Sequence, residues 1–474
     1  MFKDCRGLPL SMASEATVAA FDHAVDGYLG YQVDMFPRVE ALLAADPDCG
    51  LAHTLYGYFL LMGFRTDTVG RARAALAQAG RCPGTPREKA HAEALARWIE
   101  GDPDAAVAIW DAILDDHPLD ILAFRLAHFL NFWCGRPEAM LASILSVERH
   151  WSTDLPGFGA MLACRCFAHE EAGYYLEAEN AGREAVRRDP SDLWAAHGVA
   201  HVLEMTGRRL EGIAWVEGLH SRWDGANNLK HHLWWHQAMY HLELGDFAKV
   251  LSLYDGRFRD LTSPLTQMAP DLYIDVQNAA SMLFRVARHG VDVGDRWTEI
   301  ADKAEARIGD CQSAFTLPHW MMALAATGRD SVAEAMLAAM RDFAGGERPI
   351  ARLVREIALP VTAAVLANGQ GQHDRAVALM RPVIGEMYRM GGSHAQQDVL
   401  EQAFLDSALK AGADTDVRML IERVSGRHPV KPDRRIGYAM AVRSRAAEDP
   451  GRPPAGAAEK SGDCKPAVAP ASQT

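Results

Sequence analysis

Along most of the chain, apolar residues recur at intervals of three and four, in stretches a few turns long, with charged residues between them. That period predicts amphipathic α-helices. Glycines punctuate the stretches: Gly101, Gly135, Gly173, Gly207 and Gly245 follow one another at separations of 34, 38, 34 and 38 residues. Each glycine closes one apolar stretch and precedes a second, alanine-rich one, as in Gly135-Arg136-Pro137-Glu138-Ala139 and Gly173-Tyr174-Tyr175-Leu176-Glu177-Ala178. A helix that stops and reverses needs a left-handed residue, which glycine supplies without steric penalty. Small residues such as Ala178 and Ala185 let the second helix pack closely on the first. Proline then ends the unit, as at Pro118 and Pro190, because it cannot continue a helix.

A period of this length is the mark of stacked helical hairpins, which bury their apolar faces only against neighbours. The predicted fold is all-α: tetratricopeptide-like helical-hairpin repeats forming a curved superhelix with an enclosed concave pocket. Weaker copies surround Gly328, Gly369 to Gly371, and Gly412, and a longer connection is expected near residues 255–270. The repeat domain is drawn over residues 1–445. Residues 446–474 are rich in Pro, Ala, Ser, Gly and charge, a composition that predicts a disordered tail.

Counting back from the turn glycines brings several histidines into register. His197 and His201 lie 10 and 6 residues before Gly207, His232 and His236 lie 13 and 9 before Gly245, His319 lies 9 before Gly328, and His91 lies 10 before Gly101. At about 100° per residue these offsets fall within an arc of roughly 100°. The six side chains should share one face of equivalent helices, the face that lines the inside of such an array. His197/His201 and His232/His236 also have the i, i+4 spacing that sets two imidazoles on one side of a helix, as metal chelation requires. Glu204, a turn beyond His201, could add an oxygen.

Trp234 and Trp235 adjoin these histidines, and an aromatic wall with converging polar groups describes a small-molecule pocket. Consecutive residues cannot both face it squarely, so Trp234 is taken as the lining residue. Ser393 reads as a helix N-cap that places His394, Gln397 and Asp398 on the first turn, where an anionic group is favoured. Asp271 and Asp275 form an acidic i, i+4 pair. Asp271 is expected on a solvated face, and a pocket role for Asp275 is the alternative.

Composition removes several function classes. The formal charge of −13 argues against general nucleic-acid binding and against docking on anionic lipid. No apolar run is long enough to span a bilayer, and the start of the chain lacks the apolar region of a secretory signal. The eight cysteines are scattered, and Cys164 and Cys166 read as small apolar residues on neighbouring helix faces. A cytoplasmic location fits best. There is no phosphate-cradling loop, dinucleotide fingerprint or nucleophile elbow, so no nucleotide cofactor is expected.

Several segments resemble the tetratricopeptide repeat protein 38 family: Gly7-Leu8-Pro9-Leu10-Ser11, residues 197–207 (HGVAHVLEMTG), residues 234–245 (WWHQAMYHLELG), residues 291–297 (VDVGDRW), and Ser393-His394-Ala395-Gln396 with Asp398. The resemblance covers nearly everything from residue 7 to about 425. It implies a helical superhelix and carries no general activity. Gln397 stands where the family pattern would have Arg, which puts in doubt a cationic contact at the mouth of the site.

Two functions follow from these residues. In the first, the pocket binds a small polar molecule, in one version a carboxylate, and acts as an enzyme. His201, His236 and His197 would be its acid–base residues, or metal ligands together with His232 and Glu204. His232, His319, His394, Trp234 and Asp398 would bind the substrate. In the second, the array is a protein-interaction scaffold without catalysis, with a protein partner or a second copy of the chain in its groove.

Overall fold

The structure is a computed structural model that describes residues 2–448. It is an all-α helical repeat. Among the described residues the strands are two short ones, Phe2–Lys3 and Pro9–Leu10, paired antiparallel with Phe2 opposite Leu10. Helical hairpins occupy the predicted positions: Phe158–Glu171 with Tyr175–Arg188, Leu193–Met205 with Arg209–Leu219, and Leu229–Glu243 with Phe247–Leu253.

The turn glycines reverse the chain as their spacing requires. Gly173, Gly207 and Gly245 have φ of 86°, 72° and 75°. Past Gly207, the Arg208 N–H donates to the Leu203 carbonyl at 2.8 Å. This satisfies a helix-end carbonyl that would otherwise be orphaned. Two other glycines bring helices close. A Cβ at Gly198 or at Gly182 would lie 2.6 Å from Cys166 Sγ, so the helices bearing them pack backbone to side chain around that thiol.

The first helices of successive hairpins stack on one another. Leu193–Met205 packs against Phe158–Glu171 and Leu229–Glu243, and Leu229–Glu243 packs against Tyr273–Arg288. The helix His394–Lys410 then returns to meet Tyr273–Arg288 and Leu193–Met205. It is buried on nearly every side, from Ala395 to Ala408. Two of the stacked first helices, Leu193–Met205 and Tyr273–Arg288, therefore meet another helix of the same chain.

The break in rhythm near residues 255–270 is ordered. A π-helical turn, Tyr254–Phe258, leads to the short helix Pro264–Met268, and buried Arg259 ties the segment to Glu299 at 2.7 Å. The last described helix, Ile436–Glu448, runs three residues past the boundary drawn at 445. The rest of the predicted tail lies outside the described residues. Cys164 and Cys166 are buried and free. No helix among the described residues is long and apolar enough to cross a membrane.

Candidate metal centre

Leu193–Met205 starts at Asp192, whose carboxylate accepts the Ala195 N–H at 2.9 Å, and this cap sets the helix register. His197 and His201 then face the same way, and the neighbouring helix Leu229–Glu243 presents His232 and His236 to the same space. One ring nitrogen from each of the four lies within 4.8 Å of those from the others. Ring centroids are 4.5 Å apart for His197 and His201, 4.4 Å for His201 and His236, and 4.8 Å for His232 and His236. All four are buried.

The walls hold the rings in place. His232 stacks on Trp235 with centroids 5.1 Å apart and planes 10° from parallel. Phe167 and Trp194 pack on His197 at 5.2 and 4.8 Å. Two Nδ1 atoms are also anchored: that of His236 lies 2.8 Å from Glu204 Oε2, and that of His232 lies 2.8 Å from Asn278 Oδ1. With Glu204 ionised its carboxylate only accepts, as does the Asn278 amide oxygen, so both rings then carry their proton on Nδ1 and leave Nε2 bare. The His236 Nε2 is buried with no hydrogen-bond partner, as are Nδ1 of His197 and Nδ1 of His201. The His197 and His201 Nε2 atoms are 3.0 Å apart.

Burial, and for His197, His201 and His232 the neighbouring histidines as well, push these imidazoles far below their usual range; His232 and His236 fall to about 3. The rings are neutral near pH 7, the form that binds a metal and the wrong form for a general acid. Burial acts oppositely on Glu204, raising it to about 7. Glu170 lies with its Oε2 3.7 Å from His201 Nδ1, and burial together with Glu171 raises it well above the ordinary carboxylate range.

The other residues singled out in the sequence are dispersed around this cluster. His91 sits in a separate buried network, its Nε2 3.1 Å from Asp120, so the shared face holds four converging histidines and not six. His319 is fully buried and directs Nδ1 to the Phe315 carbonyl at 2.8 Å, leaving Nε2 unpartnered outside the four-histidine group. Trp234 turns away, toward His220, Trp223 and Arg257, and Trp235 is the ring beside the histidines. Ser393 caps its helix as expected, with Gln396 completing a capping box.

Asp398 is committed to the interior. It accepts from Arg435 at 2.6 Å, from Tyr438 at 2.5 Å and from Gln402 at 2.6 Å, and lies 3.6 Å from Arg285. Asp271 is not on a free acidic face, because it binds Arg65 and Arg307, each at 2.8 Å. Asp275 is buried against Asn228 at 2.6 Å and His231 at 3.1 Å.

His394 stands apart from the four histidines, at a cavity of about 440 Å³ that is also lined by Arg136, Glu171, Gln397, Arg423 and Arg427. Gln397 donates to the Gly392 carbonyl at 2.8 Å, so the cationic side of this cavity comes from Arg136, Arg423 and Arg427. Sequence reasoning missed Glu170, Glu171, Asn278 and the arginines. Glu170 could have been found: it lies three residues before Gly173, as Glu204 lies three before Gly207. No known protein-family profile matches the chain.

Proposed function

We propose that the chain is a tetratricopeptide-like metalloprotein, related to the family its motifs resemble, whose four histidines hold a divalent transition metal. One observation carries this reading: four buried, neutral imidazoles converge within 4.8 Å, and two have Nδ1 anchored by Glu204 and Asn278. A buried polar cluster with unpartnered nitrogens is costly unless something satisfies it. A carboxylate or amide behind a ligand histidine fixes its tautomer and raises its basicity. Imidazole donors suit zinc, copper, nickel, cobalt or iron. Glu204 and Glu170 would balance the charge of the ion.

The chemistry follows from position. A metal of this class acts as a Lewis acid and lowers the pKa of a bound water. The cavity at His394 would admit the small molecule. Its three arginines favour an anion such as a carboxylate or phosphate, and Glu171 connects it through Glu170 to His201. The four cage histidines thus act as ligands, and the anion-binding role falls to Arg136, Arg423, Arg427 and His394. The helix His394–Lys410 packs on the first helices Leu193–Met205 and Tyr273–Arg288, which speaks against a partner lying there as the scaffold reading requires.

The test is metal analysis of the full chain after purification without chelators. About one equivalent of transition metal, lost in a His232→Ala/His236→Ala variant, is expected, along with a lower melting temperature after chelation. A wild-type protein that takes up no Zn²⁺, Co²⁺, Ni²⁺, Fe²⁺ or Cu²⁺ and melts identically with and without chelator would refute the reading.

A further inference from the structure

Next to the four histidines lies a second group of donors that the cage does not use. Glu170 and Glu171 end the helix Phe158–Glu171, and His394 begins the helix His394–Lys410. One donor atom from each lies within 4.8 Å of the others. His394 Nδ1 is 4.0 Å from Glu171 Oε2, and on the other side Glu170 Oε2 is 3.7 Å from His201 Nδ1.

Glu170 is the unusual member. Its side chain is 0% exposed, neither oxygen accepts from an N–H group, and the one side chain it can share a proton with is Glu171, which accepts the His394 backbone N–H. Glu171 Oε1 and His394 Nδ1 are likewise unpartnered. Among the described residues, the ion-pair contacts of Glu170 and Glu171 are with His201 and His394, and no Lys or Arg lies within pairing distance of either carboxylate. The nearby arginines pair first with other carboxylates, Arg423 and Arg427 each giving one N–H to Glu401 at 3.1 Å and Arg136 pairing with Asp104, and keep further N–H groups for the cavity. Two adjacent buried carboxylates with no cationic side chain in contact, Arg427 acting on Glu171 only from a distance, need a proton shared between them or a bound cation, since an uncompensated buried charge is strongly destabilising.

We propose that Glu170, Glu171 and His394 hold a second divalent cation beside the histidine cage, with Glu170 shared between the two positions. The inference rests on the cage being a metal site. Two carboxylates and one imidazole form a harder donor set than four imidazoles, suited to Mn²⁺, Co²⁺, Fe²⁺ or Zn²⁺. Three protein donors leave coordination positions open. The cavity reaches both Glu171 and His394, so water or an anion held by Arg136, Arg423 and Arg427 can fill those positions. Paired cations a few ångströms apart are a recurrent arrangement for reactions of phosphate and carboxyl compounds.

The experiment is a Co²⁺ titration of the metal-free full chain, followed by visible absorption and by magnetic resonance of the loaded protein. The expected end point is two equivalents, with spin coupling between the ions. A Glu171→Gln/His394→Ala variant should stop at one equivalent and keep the absorption of the nitrogen-rich cage. One equivalent in the wild type, unchanged in that variant but lost in His232→Ala/His236→Ala, overturns the second site and leaves the cage standing. One equivalent lost only in Glu171→Gln/His394→Ala overturns the cage and with it the pair. Two equivalents without coupling overturn the shared role of Glu170. The wild-type end point is independent of whether any variant folds.

Discussion

His236 Nδ1 and Glu204 Oε2 lie 2.8 Å apart across two neighbouring helices, and the ring nitrogen on the far side, Nε2, faces the other histidines without a partner. Glu204 therefore decides how the imidazole presents its lone pair. Among the described residues it has no Arg or Lys within ion-pair distance, its direct partner being the ring, and burial raises its pKa to about 7 against the pull of Arg285, Arg435 and Arg209, so its charge is favoured when the cage holds a cation.

Replacing Glu204 with Gln keeps the shape and an acceptor oxygen but removes that charge. Metal affinity should fall by about 10–100-fold, the usual effect of losing a partner behind a ligand histidine. Competition with a chromophoric chelator measures the change. An affinity equal to wild type would show that the carboxylate has no part in metal binding.

The approach of one cage helix, Leu193–Met205, to the preceding helix Phe158–Glu171 depends on Gly198. A Cβ there would meet Cys166 Sγ at 2.6 Å, and the facing Gly182 leaves the thiol no room to retreat. Gly198→Ala should destabilise the protein by about 1–3 kcal/mol through overpacking and weaken metal binding by moving His197 and His201. Urea denaturation of the metal-free and loaded proteins separates the two effects. Unchanged stability in the metal-free protein would mean that the helices adjust freely.

Much of this fold was legible in the sequence because a hairpin repeat writes itself locally. Gly173, Gly207 and Gly245 are required by the reversal they make, and counting from them put four histidines on one face. The count failed for His91 because equivalent register does not make two helices neighbours; His91 is in a different part of the stack and met Asp120 instead. It chose Trp234 over Trp235 because one face of a helix cannot be separated from the next without knowing what packs there. The return of His394–Lys410 onto Leu193–Met205 is a contact between segments nearly two hundred residues apart, set by tertiary packing. For that reason the contact of His394 with Glu171 had no signal in the spacing, whereas Glu170 beside His201 did.

Away from the cage, Asp120 sets an acid limit on stability. Burial raises its pKa, but His91, Arg87 and the Ala123 N–H outweigh burial and hold the carboxyl well below its usual range. A carboxyl depressed in the folded state stabilises the fold above its unfolded pKa, and that contribution is lost as pH falls below about 4. Urea midpoints should therefore drop through this acidic range. Asp120→Asn should flatten that part of the profile while costing about 3–5 kcal/mol near neutral pH, because Arg87 is left buried without its partner. A parallel profile in the variant would assign the acid sensitivity to other groups.

The cavity beside His394 can be tested independently of any metal. Arg423 and Arg427 share one carboxylate, Glu401, each giving it a single N–H, so guanidinium donors remain on the wall beside Glu171 and His394. The Arg427 side chain is about a third exposed and lines this cavity, so its guanidinium is accessible to a small anion. Inorganic phosphate and acetate, added to metal-free protein at constant ionic strength, should raise the melting temperature by ligand stabilisation, which grows with the logarithm of concentration above Kd. Arg427→Ala should shift the concentration needed for a given rise by about tenfold or more, the loss expected for one charge-assisted hydrogen bond. Arg381→Ala serves as the control, because that arginine is half exposed and pairs with Asp416. Equal responses in the two variants would mean that the anions act on the surface as a whole and that this cavity is not their site.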